Sequence, residues 1–267
     1  MEYTVPTLSI VFMMVAALAG IAIPVGLYLY FRKRHGADRM PFWIGCIIFP
    51  VFALGLEQLA YLAMKHWGFW LNVQSNIFAY GAFAGMMAGL FEETGRYFGF
   101  AVLLRKKRGK DINGLMYGAG HGGIEAVILL SVSMLINVIF SLQSNAGIPS
   151  SLGTASAAQS LIAMPSWMPL VGAVERLSAV TIHISLSVLV WFAVKNKKRF
   201  WLFPLAIVLH ALVDAVAVIM SRFVSNIWLI EAAVYLLAGV CAVLAVIVYK
   251  RNSKPAEVAA EPAADIA

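Results

Sequence analysis

The chain has 267 residues, 61% of them hydrophobic and only 12% charged, with a mean hydropathy of +0.84. A soluble domain carries about twice that charged fraction, so lipid solvates most of this surface and the fold class is an all-α polytopic membrane bundle. The net charge of +7 would suit nucleic acid, but Lys and Arg fall in short runs between apolar segments, as cytoplasmic loops do, which excludes a nucleic-acid partner.

A spanning helix needs about 20 apolar residues. Seven segments reach that length, near 7–31, 41–64, 76–104, 112–140, 169–194, 200–221 and 226–249. The first lacks a basic n-region and is too long for a signal-peptide core, so it reads as a retained helix. Arg32, Lys33, Arg34 and Arg39 follow the first segment, and Arg105, Lys106, Lys107, Arg108 and Lys110 follow the third. Lys195, Lys197, Lys198 and Arg199 follow the fifth; Lys250, Arg251 and Lys254 follow the seventh. Only Lys65 and Arg222 lie in the alternate loops. The positive-inside rule then predicts a multi-pass cell-membrane protein with its N-terminus outside and its C-terminus cytoplasmic.

Residues 141–168 are rich in Ser, Ala and Gly, include Pro149 and Pro165, and read as an external loop with room for a short helix. Residues 1–250 read as one transmembrane domain and 251–267 as a disordered cytoplasmic tail, Ala, Glu and Pro rich from Pro255 onward. Cys46 and Cys241 fall in apolar segments and imply no disulfide framework.

The informative residues are the ionisable ones inside the spans. Intramembrane charge is costly and marks a functional site by default. Glu92, Glu93 and Arg96 lie in the third span, His121 and Glu125 in the fourth, His183 in the fifth, and His210 and Asp214 in the sixth. Counting from the cytoplasmic ends, Glu93, His121, His183 and His210 fall roughly 14–17 Å deep at the helical rise of about 1.5 Å per residue. One shared depth predicts one polar site near the midplane.

Glu92 with Arg96, His121 with Glu125, and His210 with Asp214 are each spaced to share a helix face. Arg176 and His183 also share one. Two adjacent carboxylates in a span need compensation by Arg96 or a metal, and a carboxylate so poised suits water activation. A Glu–Arg ion pair locking helices together would produce the same run. The glycines in Tyr117-Gly118-Ala119-Gly120-His121-Gly122-Gly123-Ile124-Glu125 suit close helix packing, which leaves His121 and Glu125 unexplained. Glu57, Glu175 and Glu231 sit nearer the outer boundary and suit structural or substrate-facing roles.

Glu92-Glu93 with Arg96, His121-Gly122-Gly123-x-Glu125, and His210-x-x-x-Asp214 together resemble the YhfC family of intramembrane metalloproteases, related to the type II CAAX prenyl endopeptidases and PrsW proteases. The resemblance covers roughly residues 40–250. In the CAAX-type enzymes a paired-glutamate motif activates water, and an aromatic residue four before a histidine looks similar to Tyr117 with His121. A late His-x-x-x-Asn completes their site. Asp214 stands in place of that Asn, as in PrsW-type proteins, and Arg96 comes one residue early.

The expectation is an intramembrane peptidase acting on a peptide or membrane-protein substrate amid membrane lipid. Its catalytic set is Glu92, Glu93, Arg96, His121, Glu125, His210 and Asp214, with one of the two glutamates as the base. His121, His183 and His210 are the candidate ligands for zinc, a metal that accepts such nitrogen and oxygen donors. The rival readings are a proton- or ion-coupled transporter and a non-catalytic membrane scaffold.

Overall fold

The computed structural model describes residues 4–148 and 152–253, so the tail beyond Ser253 and Pro149 lie outside it. The described residues are helical, and no strand occurs among them. In chain order they form α1 (Thr7–His35), α2 (Arg39–Met64), a short α3 (Gly68–Ser75) and α4 (77–103). There follow α5 (Ile112–Asn145), a second short helix α6 (Leu152–Ala163), α7 (Met168–Lys195), α8 (Leu202–Phe223) and α9 (Ile227–Asn252). Helix α9 thus continues through Arg251 into the stretch assigned to the tail.

Among the described residues, six helices are long and apolar enough to cross a membrane. The remaining long helix, α4, carries Glu92, Glu93 and Arg96 and is not among the six. It packs extensively against α8.

The apolar runs become helices because lipid offers the backbone no hydrogen-bond partners, so each span must satisfy its own. Their ends are marked locally. Gly36, at φ +64°, closes α1 and donates its N–H to Phe31; only glycine adopts that backbone without strain. The Asn76 side chain accepts from the backbone N–H groups of Phe78 and Ala79 and starts α4, and Asn226 caps α9 in the same way. Three of the long helices carry π-helical stretches, Pro50–Glu57 in α2, Gly99–Leu103 in α4 and Val127–Val132 in α5.

Helix α7 is central. It buries 72% of its span, whereas the six-helix set otherwise buries 22–33%. The outer helices turn large apolar side chains such as Leu18, Leu59 and Leu236 outward, as a lipid-solvated surface does.

Two crossings depend on glycine. A Cβ on Gly120 of α5 would lie 2.0 Å from the Phe42 carbonyl oxygen of α2, and one on Gly85 of α4 would lie 2.2 Å from that of Ala211 on α8. Both neighbours are backbone and cannot swing aside. Gly120→Ala is therefore expected to destabilise the protein by roughly 1–3 kcal/mol through overpacking. The melting midpoint in detergent should fall, and an unchanged midpoint would contradict this packing.

The basic clusters meet at one end of the bundle. Asp38, between α1 and α2, pairs with Lys107 at 3.7 Å and Lys110 at 3.2 Å. Asp111 accepts from Trp191 Nε1 at 2.8 Å and pairs with Lys195. Arg199 Nε donates to Asn252 Oδ1 at 3.2 Å. At the opposite end Asn145 exchanges two hydrogen bonds with the Val5 backbone.

Candidate functional site

Four helices bring the intramembrane polar groups together. Helix α4 supplies Glu92, Glu93 and Arg96, α5 supplies His121 and Glu125, α7 supplies Arg176 and His183, and α8 supplies His210 and Asp214. All except Asp214 are buried. The ring of His183 lies 4.9 Å from that of His121 and 5.4 Å from that of His210. The close glycine crossings let these helices approach until the side chains meet; Gly122 sits directly against His183.

Proton placement follows from the donors. A guanidinium can only donate, so the 3.0 Å contact from Arg96 Nη2 fixes His183 Nδ1 as a lone pair. His183 Nε2 lies against Glu125. Arg176 Nη1 donates to the other oxygen of that carboxylate at 2.6 Å and also pairs with Glu175. His210 Nδ1 is 2.9 Å from Glu93 Oε1, and Arg96 forms a salt bridge to Glu93 Oε2 at 3.1 Å. His210 Nε2 is left 3.6 Å from Asp214, beyond hydrogen-bond reach. His121 Nε2 is 2.9 Å from Glu92 Oε2, while its Nδ1 is buried without a partner.

The adjacent glutamates thus stand in different surroundings. Glu93 is fully buried, with Arg96 and His210 on its two oxygens. Glu92 points a different way, as neighbours about 100° apart on a helix must. It lines a cavity of about 120 Å³ together with Glu125, Arg176, His183, His210 and Asp214. Glu175 and Val234 lie along the same wall. Tyr117, one turn before His121, is buried with its ring 6.0 Å away.

Three pairings differ from those that spacing along single helices suggests. Arg96 bridges Glu93, not Glu92. Glu125 contacts His183 and Arg176, not His121. His121 pairs with Glu92 on the neighbouring helix. Arg96 takes the glutamate three residues back on its own helix instead of the one four back, whereas for His121 and Glu125 the partner on the adjoining helix is nearer than the one along the same helix. Asp214 does lie beside His210, though not in hydrogen-bond contact. Arg176 and Glu175 belong to the site's wall. The seven-residue interval from Arg176 to His183 was the signal in the sequence, since two turns return to one face.

The donor set fits a divalent metal. One ligand atom each from Glu92, His121 and His183 all lie within 4.8 Å of one another, and all three residues are buried. Of the two histidines in this group, His183 has a carboxylate, Glu125, at Nε2, the second-partner pattern typical of metal sites, whereas His121 Nδ1 has no partner. Arg96 Nη2 occupies His183 Nδ1, so ligation through that nitrogen requires the guanidinium to withdraw. His210 lies next to this trio and not in it.

A model of the YhfC intramembrane metalloprotease family matches residues 19–234, which include every residue of this site. The chain belongs to the YhfC family. Over 233 residues it is 32% identical to the uncharacterized membrane protein YhfC of Bacillus subtilis (strain 168), an alignment covering 80% of this chain and 86% of that protein. No solved structure matches the chain. YhfC membership agrees with the multi-pass architecture, and the family's name agrees with a buried carboxylate–histidine group able to hold a metal.

Proposed function

We propose that this YhfC-family protein is an intramembrane peptidase that hydrolyses peptide bonds of membrane-associated substrates with a water activated at Glu92. The observation that carries the reading is the division between the paired glutamates. Glu93 is compensated by Arg96, and Glu92 opens onto a cavity shared with His183, His210 and Asp214.

His121 Nε2 holds the Glu92 carboxylate. Glu92 takes a proton as the water oxygen bonds to the carbonyl carbon, and the C–N bond then breaks with a proton delivered to the leaving nitrogen. His210, anchored through Nδ1 by Glu93, presents Nε2 to the same cavity. Protonated there, it donates to the developing oxyanion and passes its proton to the amine. Glu125 and Arg176 orient His183. A zinc ion held by Glu92, His121 and His183 would supply Lewis-acid polarisation of the carbonyl and a lower water pKa.

The test is hydrolysis of model transmembrane peptides by purified protein in proteoliposomes, with metal content measured on the same preparation. The expected result is cleavage, about one divalent ion per protomer, and loss of activity with a chelator. Cleavage without metal and insensitive to chelator retires the zinc and keeps a glutamate-type peptidase. No cleavage of any peptide, with a Glu92 variant behaving as wild type in cells, favours the scaffold.

The cavity also needs an orientation. All four basic clusters gather at one end of the bundle, and we place that end in the cytoplasm. Cysteine labelling of intact cells, in a background lacking Cys46 and Cys241, should leave probes at Lys106 and Lys197 protected and one at Ser150 reactive. The reverse pattern would invert the topology.

A further inference from the structure

At the basic end of the bundle a groove of about 520 Å³ runs between the start of α2 and the end of α4. It has nothing in common with the buried site. Its wall is apolar, formed by Met40, Ala101, Val102 and Leu103, and its rim is Arg105, Lys106 and Lys107. Met40, Val102 and Leu103 are exposed, and so is Trp43 one turn along α2.

The rim cations are not equivalent. Lys107 is engaged by Asp38. Arg105 and Lys106 are exposed and have no carboxylate partner among the described residues. Two uncompensated cations therefore stand over an apolar slot at the level where spans end. A basic pocket at this level attracts an anionic headgroup. Arg also suits a phosphate because its planar fork can meet two oxygens at once, and an exposed Trp at this height sits in the headgroup layer. A free phosphate would use the rim and leave the wall in water. A neutral phospholipid would bring its own ammonium toward the two cations.

We propose that this groove binds one anionic phospholipid of the bilayer, its phosphate on Arg105 and Lys106 and an acyl chain along Val102, Leu103 and Met40. The proposal does not depend on the peptidase reading, because its readout is binding. It also concerns one defined place, where the basic residues in general serve to orient the chain.

The test uses the purified full chain in detergent, titrated with phosphatidylglycerol or phosphatidylcholine and weighed by native mass spectrometry. Three forms are compared: wild type, an Arg105→Gln/Lys106→Gln double variant, and a Lys197→Gln/Lys198→Gln double variant that removes two equally basic exposed residues elsewhere. The expected result is that wild type retains one phosphatidylglycerol in preference to phosphatidylcholine. Removing Arg105 and Lys106 should weaken that first binding event about tenfold or more. The 197/198 variant should bind as wild type does. Circular dichroism and gel filtration confirm that all three are folded. Equal retention of the two lipids, or equal loss in both double variants, overturns the site. Displacement of the lipid by millimolar inorganic phosphate in wild type would assign the rim to free phosphate and overturn the lipid assignment.

Discussion

Glu92→Gln is expected to lower peptide hydrolysis by at least about 100-fold, the usual scale for removing a positioned base, with little change in melting midpoint. Gln keeps the shape of Glu. Its carbonyl oxygen can still accept from His121 Nε2, 2.9 Å away in the wild type. What it lacks is the charge that takes up a proton or binds a metal, so metal content should fall with activity. The substitution at the next residue should behave differently. Glu93→Gln leaves the fully buried Arg96 without its carboxylate, so stability should fall along with activity. Initial rates and thermal unfolding on the same preparations separate the two. Wild-type turnover by the Glu92 variant would remove Glu92 from the chemistry.

The largest effect on stability is expected from Arg96→Met. Arg96 and Glu93 are both fully buried and 3.1 Å apart. Deleting one member of a buried ion pair leaves the other uncompensated, at a typical cost of about 3–5 kcal/mol. Here the loss extends further, because Arg96 Nη2 also donates to His183 Nδ1. Adding Glu93→Gln to Arg96→Met should recover part of the loss, since it removes the stranded charge. The coupling can be read from the four-protein cycle in thermal or denaturant unfolding. An Arg96→Met protein as stable as wild type, or a double variant with no recovery, would contradict the pairing.

Much of the architecture was legible because lipid imposes a simple code. Runs of about 20 apolar residues must be helices, and each predicted segment coincides with a long helix, the first extending past residue 31 to His35. The basic runs sit together at one end of the structure, consistent with their use as a topology signal. The short helix Leu152–Ala163 falls in the stretch 141–168, where the sequence left room for one, but the short helix Gly68–Ser75 and the π-helical stretches were not legible. None has a period or composition that separates it from a loop or an ordinary helical turn.

For the site, depth was a better guide than spacing. Helical rise carries Glu93, His121, His183 and His210 to one level, and the structure brings them together. Spacing identifies which groups share a face of one helix. It cannot tell which group on a neighbouring helix comes closer. That is why spacing pairs Glu125 with His121, where cross-helix contacts to His183 and Arg176 stand instead; for Arg96 the choice falls between two residues of its own helix, and Glu93, three back, takes it in place of Glu92, four back. Which glutamate meets the cavity depends on how α4 is rotated against α5 and α8, and that rotation is set by packing at glycines such as Gly85.

The central claim is that Glu92 and the histidines around it hydrolyse peptide bonds inside the membrane. It is tested most directly by mapping the products of one model transmembrane peptide reconstituted with the wild-type protein or the Glu92→Gln variant. Mass spectrometry of the new termini should place the cleaved bond within the apolar stretch for wild type, with no such product from the variant. The same termini at the same rate from both proteins, or intact peptide with both across a panel of such substrates, would contradict it.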